Sequence, residues 1–220
     1  MSAVAAGATH LETDVHASAD GVAVLSHDPD LARLTGRDVR IDQLTASELH
    51  RVELGAGQGF ATLAEALEAL PDARFNIDLK SDAAVAPTVR AVLEARASER
   101  VLVTSFSERR RRAAVALLPG VASSASSGRL VRTLAARASR WPRLVRRSVH
   151  GLRAVQVPER YRGVRIVTRG FVASLHAAGI EVHVWTVNEP ERMMRLLDLG
   201  VDGLVTDRCD LARRIVDDRP

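Results

Sequence analysis

The chain has 220 residues, 46% of them hydrophobic, which is enough to bury a substantial core as a single domain spanning 1–220. Its formal charge is only +4, and it has no run of about 18 or more apolar residues, so neither a dedicated nucleic-acid binder nor a transmembrane helix is indicated. A single cysteine, Cys209, excludes an intrachain disulfide and suits a reducing compartment, so a cytoplasmic location is expected.

The basic residues are almost all arginine, against an Ala- and Val-rich background that points to a GC-rich genome. Lys80, the only lysine, stands out. An ammonium is a compact point charge that can pair with phosphate or with a neighbouring carboxylate, a role the planar Arg fork fills poorly.

Met1 to Ala8 read as the tail of a helix, and His10–Val15 as a strand. Residues two apart on a strand share a face, so Glu12 and Asp14 project together. Asp20-Gly21 marks a tight turn and Val22 to Leu25 a second extended run, which brings His27 back beside the carboxylates. His16 shares the Glu12–Asp14 face but is expected beyond the strand end. A divalent cation on hard oxygen ligands, beside an imidazole that can move a proton, is equipment for phosphate-ester chemistry.

Thr45-x-x-Glu48 and Thr62-x-x-Glu65 are capping boxes, the second leading into Leu63, Ala66, Leu67 and Leu70 on one helix face. Further strands are expected at Phe75–Leu79, Val101–Ser105, Val121–Ser124, Ala154–Val157, Val182–Val187 and Gly203–Thr206. Asp78 and Lys80 share a face of the first of these. Ser107 can cap an arginine-rich helix ending near Pro119-Gly120, and a helix starting at Asn188 and Pro190 should end at Gly200. Seven strands alternating with helices argue for βα units and a parallel sheet. Arg129 to Arg147, dense in arginine around Trp141 and Pro142, reads as a solvated helix face or as a surface for anionic lipid or nucleic acid.

Glu12-x-Asp14-Val15, Asp20-Gly21-Val22 and His27-Asp28-Pro29-x-Leu31-x-Arg33-x-Thr35-Gly36 together resemble the glycerophosphodiester phosphodiesterases. The resemblance continues in Phe75-Asn-Ile-Asp78-Leu-Lys80, Val184-Trp185-Thr-Val-Asn188 and Gly200-Val-Asp-Gly-Leu-Val-Thr-Asp207, covering about Gly7 to Ala212. It implies a TIM-type (β/α)8 barrel with its site at the C-terminal strand ends. The family's His-Arg-Gly strand and Pro-Glu-Asn-Thr helix start have no counterpart here. The expectation is therefore a barrel lacking its first βα unit: either the true start lies further upstream and the enzyme is an ordinary one, or this is a truncated relative, poorly active and marginally stable as written.

The resemblance further implies metal-dependent hydrolysis of small glycerophosphodiesters to glycerol 3-phosphate and an alcohol. Glu12, Asp14 and Asp78 would be ligands of Ca²⁺ or Mg²⁺, His27 the acid that protonates the leaving alcohol, and Lys80 a phosphate contact. Trp185, Gln156 and Ser105 match positions at the substrate end, while Asp207 is expected to brace the last turn. The alternative is a non-catalytic relative that binds phosphodiesters or anionic lipid headgroups.

Overall fold

The computed structural model describes residues 2–55, 57–139 and 141–219. The chain divides into two compact units, one of residues 10–122 and one of residues 1–9 with 123–220. The latter opens with helix α1 (Ser2–Ala5), the helical tail expected at the start of the chain.

Residues 10–122 begin with β1 (His10–Ala17) and β2 (Ala23–Leu25), followed by the short helices α2 (Ala32–Thr35), α3 (Ala46–His50) and α4 (Leu63–Ala69). Then come β3 (Arg74–Leu79), α5 (Val85–Glu94), β4 (Val101–Thr104) and α6 (Glu108–Leu117). Three strands, β1, β3 and β4, run parallel, and β2 returns antiparallel on β1 with Val15 opposite Leu25. Alternation along the strands separates two chemistries. Leu11, Val15, Phe75, Ile77, Leu79, Val101 and Val103 face the helices and pack with Leu63, Leu67, Val89 and Val92. Each of the fully buried Leu and Ile side chains contributes about 1.5–3 kcal/mol. That burial, rather than helix propensity, fixes α4, which at seven residues is too short to persist alone. Glu12, Asp14 and His16 take the opposite face of β1, as Asp78 does on β3.

Both capping boxes form as the sequence predicts. The Thr45 and Thr62 hydroxyls accept from the Glu48 and Glu65 main-chain N–H groups, and each glutamate returns to the threonine N–H. Ser107 caps α6 by accepting from the Arg110 N–H.

The segment between β2 and α4 has its own small core, in which Val24, Leu31, Ile41, Leu49, Val52 and Phe60 are buried together. Gly59 is essential to it: a β-carbon there would lie 1.8 Å from the His50 carbonyl oxygen. The Phe60 N–H donates to the Leu49 carbonyl at 3.3 Å, holding the two stretches in that approach. Gly59→Ala is expected to destabilise the protein by about 1–3 kcal/mol, read as a lower midpoint in urea unfolding.

After β5 (Ala122–Ser123), the chain forms α7 (Ser127–Ala138) and α8 (Pro142–Val149). The single arginine-rich helix face expected there is broken in two, because Pro142 starts a new helix as its first-turn residue. Next come β6 (Ala154–Pro158), the hairpin strands β7 (Arg160–Tyr161) and β8 (Val164–Arg165), and α9 (Arg169–His176). The chain ends with β9 (Glu181–Trp185), α10 (Pro190–Asp198), β10 (Gly203–Leu204) and α11 (Cys209–Asp217). A parallel sheet runs β10-β9-β6. Val155, Val157, Val182 and Val184 pack against Phe171, Leu175, Met193 and Leu196 from the helices. All seven predicted core strands are present, with ends shifted by a few residues. The β7–β8 hairpin went unpredicted because its four strand residues, all exposed, carry no apolar alternation.

Candidate active site

In-register pairing of β1 and β3 places Asp14 beside Asp78 and Glu12 beside Asn76. Two carboxylates side by side on one face repel unless a cation stands between them. Lys80 supplies it. Its Nζ lies 2.8 Å from Asp14 Oδ1 and 2.6 Å from Asp78 Oδ2. The Lys80 N–H donates to the Val15 carbonyl at 3.1 Å, which anchors the residue at the strand ends. Burial opposes the ammonium charge, but the hydrogen bonds to Asp14 and Asp78 outweigh it and raise the Lys80 pKa. The Phe106 ring, whose centroid is 5.6 Å from Nζ, completes its surroundings with a cation–π contact.

Glu12 lies one step nearer the strand start. It keeps access to solvent, yet its pKa rises to about 7, first through crowding by protein atoms and then through the Asp14 charge. The buried Asp78 Oδ1 has no hydrogen-bond partner among the described residues. Three carboxylates with an orphaned oxygen and a raised pKa form a donor set suited to a hard divalent cation. No group of three His, Cys, Asp or Glu residues is gathered into a ready ligand cluster among the described residues.

The β1–β2 hairpin returns the chain as its sequence predicts, and the Ser26 N–H donates to the Asp14 carbonyl at 3.0 Å. His27 follows, with its side chain 71% exposed and Nδ1 2.7 Å from Asp28 Oδ1. Arg33 Nε donates to the other Asp28 oxygen. These two partners hold the Asp28 pKa below the ordinary carboxylate range. With Nδ1 engaged by the aspartate, Nε2 is the nitrogen left to exchange a proton. The His-Asp-Pro-x-Leu-x-Arg spacing thus encodes an Arg–Asp–His chain, with the intervening Leu31 fully buried.

His16 lies within β1, not beyond its end, because the β2 pairing extends the strand to Ala17. Its Nε2 is buried with no hydrogen-bond partner among the described residues. Burial lowers the His16 pKa, so the ring is held toward its neutral form. The local clue was the i, i+2, i+4 spacing with Glu12 and Asp14.

The Ser105 hydroxyl donates to the Leu79 carbonyl at 2.8 Å and accepts from the Ser107 N–H at 3.3 Å. It therefore locks the end of β3 to the turn after β4. Gln156 and Trp185 belong to the other unit, on the faces of β6 and β9 opposite the valines. Gln156 Nε2 lies 3.5 Å from His183 Nδ1. Gly203 leaves room for the His183 ring, since a β-carbon there would sit 2.8 Å from it and the ring would have to shift. Asp207 binds the Asn188 side-chain amide at 2.9 Å, bracing the last turn as expected. Asn188 itself stands outside α10, whose cap is Glu189. Glu159, passed over in the sequence, is buried between Arg192 and Arg195 at 3.1 and 2.8 Å.

The family model for glycerophosphoryl diester phosphodiesterases matches residues 1–211 of this sequence. A curated Mycobacterium tuberculosis protein, named probable glycerophosphodiester phosphodiesterase 2, is 46% identical over 216 residues, 96% of this chain and 80% of that one. The chain belongs to the glycerophosphoryl diester phosphodiesterase family.

Solved structures agree on the fold of this family member. A Thermotoga maritima glycerophosphodiester phosphodiesterase matches at a TM-score of 0.72 and 28% identity, over 97% of this chain and 88% of its own. An Oleispira antarctica phosphodiesterase, solved with the product sn-glycerol-3-phosphate, matches at 0.78 and 23%, over 97% and 87%. The fold class is therefore α/β of the (β/α)8-barrel type, and the family assignment makes the chain a phosphoric diester hydrolase.

Proposed function

We propose that this family member hydrolyses small glycerophosphodiesters to glycerol 3-phosphate and an alcohol with the help of a divalent cation, Ca²⁺ or Mg²⁺. The observation that carries the reading is the gathering of Lys80, Asp14 and Asp78 where β1 and β3 pair, with Glu12 on the same face and the chain just before His27 held to β1 by the Ser26–Asp14 main-chain bond. The 46% identity to the Mycobacterium tuberculosis protein supports the same substrate class. A cytoplasmic location belongs to this reading, as Cys209 needs no oxidising compartment. No helix among the described residues is long and apolar enough to cross a membrane.

Glu12, Asp14 and Asp78 would hold the cation, which when bound offsets phosphate charge as a Lewis acid. Lys80 adds a second positive charge aimed at the same phosphate and can leave one carboxylate to reach it. His27 holds the proton that the departing alcohol oxygen takes up, and Asp28 keeps its ring turned for that transfer. The glycerol 2-hydroxyl attacks phosphorus and gives its proton to solvent, the alcohol departs with the proton of His27, and a cyclic phosphate is left. The neutral His27 then takes a proton from the water that attacks phosphorus, and the 2-oxygen leaves the ring with a proton from solvent. Trp185 and Gln156 are proposed substrate contacts. The Ser105 hydroxyl is already engaged by main chain, so any substrate contact there would fall to its surroundings.

Glycerol 3-phosphate release from glycerophosphocholine, with Mg²⁺ or Ca²⁺ and then after EDTA, tests the reading. Turnover lost on chelation and restored by either ion is expected. Saturable binding of glycerophosphocholine without turnover would overturn it in favour of a binding protein.

Glu12 adds a pH signature. Its folded pKa of about 7 lies above the ordinary 4.5, so between these values the folded state binds the proton more tightly. Stability therefore falls as pH rises through that window. In metal-free buffer, Glu12→Gln is expected to melt higher than the wild type at pH 8 and no higher at pH 4. Equal melting points at pH 8 would show that Glu12 carries no such strain.

A further inference from the structure

Between Glu108 and Glu159 the sequence has no acidic residue, and Arg129 to Arg147 alone holds seven arginines. This stretch forms α7 and α8, joined where Thr133 Oγ1 and Ser148 Oγ lie 3.0 Å apart and anchored by buried Val145 and Val149. Outside that seam the two helices expose large apolar side chains. Val131 is 64% exposed, Trp141 68% and Leu144 42%. Arg132, Arg143, Arg146 and Arg147 are exposed on the same two helices.

None of these four arginines meets a carboxylate among the described residues. Arg132 and Arg146 donate only to the Gly128 and Ala177 carbonyls, and Arg143 and Arg147 have no partner among the described residues. Elsewhere in the same unit arginines are paired, as in Arg208–Asp210, Arg213–Asp217 and Arg219–Asp198. Beside Trp141 lies a cavity of about 190 Å³, lined by Pro142, Val145 and Ala177 together with Arg137 and Arg146. Its walls are apolar and its charges uniformly positive.

We infer that the α7–α8 surface docks onto an anionic lipid bilayer, with the arginines on headgroup phosphates and Trp141, Leu144 and Val131 among the upper acyl chains. Arginine with an indole at the boundary of an apolar patch is the composition of an interfacial helix. Nucleic acid would also satisfy the arginines. It would leave Val131 and Leu144 against a charged sugar–phosphate surface, so the lipid is the better match.

Sedimentation of the purified full chain with pure phosphatidylglycerol vesicles and with pure phosphatidylcholine vesicles tests the inference. The protein is expected to sediment with the first and not the second, and to be released as salt shortens the screening length. Each arginine removed should weaken binding about fivefold, so R143Q/R147Q should bind about 25-fold more weakly. Trp141→Ser should also weaken it. Both variants change exposed side chains and should keep the wild-type melting temperature. Equal sedimentation with both lipids, or binding unchanged in both variants, would overturn the proposal. So would retention of duplex DNA through Arg143 and Arg147 without sedimentation on phosphatidylglycerol.

Discussion

His27→Ala is expected to lower kcat for glycerophosphocholine about 10²- to 10⁴-fold while leaving KM within a few-fold, the range for removing a positioned general acid. The ring is mostly exposed and Asp28 is its only side-chain partner among the described residues, so the variant should melt within about a degree of the wild type. The loss should depend on the leaving group. An alkoxide needs the proton, whereas a p-nitrophenolate leaves without one, so a glycerophospho-p-nitrophenyl ester should suffer far less. Asp28→Asn should fall between the wild type and His27→Ala, because it leaves the imidazole but weakens its hold on Nδ1. Equal losses on the choline and nitrophenyl esters would remove His27 from the role of acid and leave it a substrate contact.

The two ends of this site differed in how plainly the sequence declared them. Glu12, Asp14, Asp78 and Lys80 were legible because strand period is two and their spacing is two, so one rule put all four on shared faces. His27 was legible because Asp20-Gly21 made a hairpin of known geometry. The ion bridge from Lys80 to both aspartates was not, since it depends on β1 and β3 pairing in register across more than sixty residues. Strand order is a property of the fold rather than of either strand. His16 was misplaced for a related reason: β2 lengthens β1 by pairing with it, and that gain is invisible in the local pattern. The small core between β2 and α4 was also missed, because Leu31, Ile41, Leu49 and Phe60 follow no single period and are gathered by loops. Ser105, singled out for its place at a strand end, spends its hydroxyl on main chain.

Lys80→Ala should damage both folding and catalysis, and Lys80→Arg should separate the two. In the alanine variant Asp14 and Asp78 face each other with no ammonium between them, in a site largely closed to water. Breaking a well-buried pair costs about 3–5 kcal/mol, and Lys80 retains some solvent contact, so about 1–3 kcal/mol is expected. The raised Lys80 pKa sets the pH range of this term. The contribution is fully present below the unfolded value of about 10.4 and is lost as pH rises through the higher folded one, so the melting curves of wild type and Lys80→Ala should converge only in strong alkali. Activity should fall about 10²- to 10³-fold, the scale for losing a preorganised charge aimed at the reacting group. Arginine can still bridge two carboxylates, so Lys80→Arg should recover most of the stability. Its planar fork is larger and would hold the aspartates in place of moving between them and the phosphate, so activity should stay at least about tenfold low. Stability restored without activity would identify Lys80 as a phosphate contact as well as a brace. Full recovery of both would show that the strand face needs only a positive charge at that position.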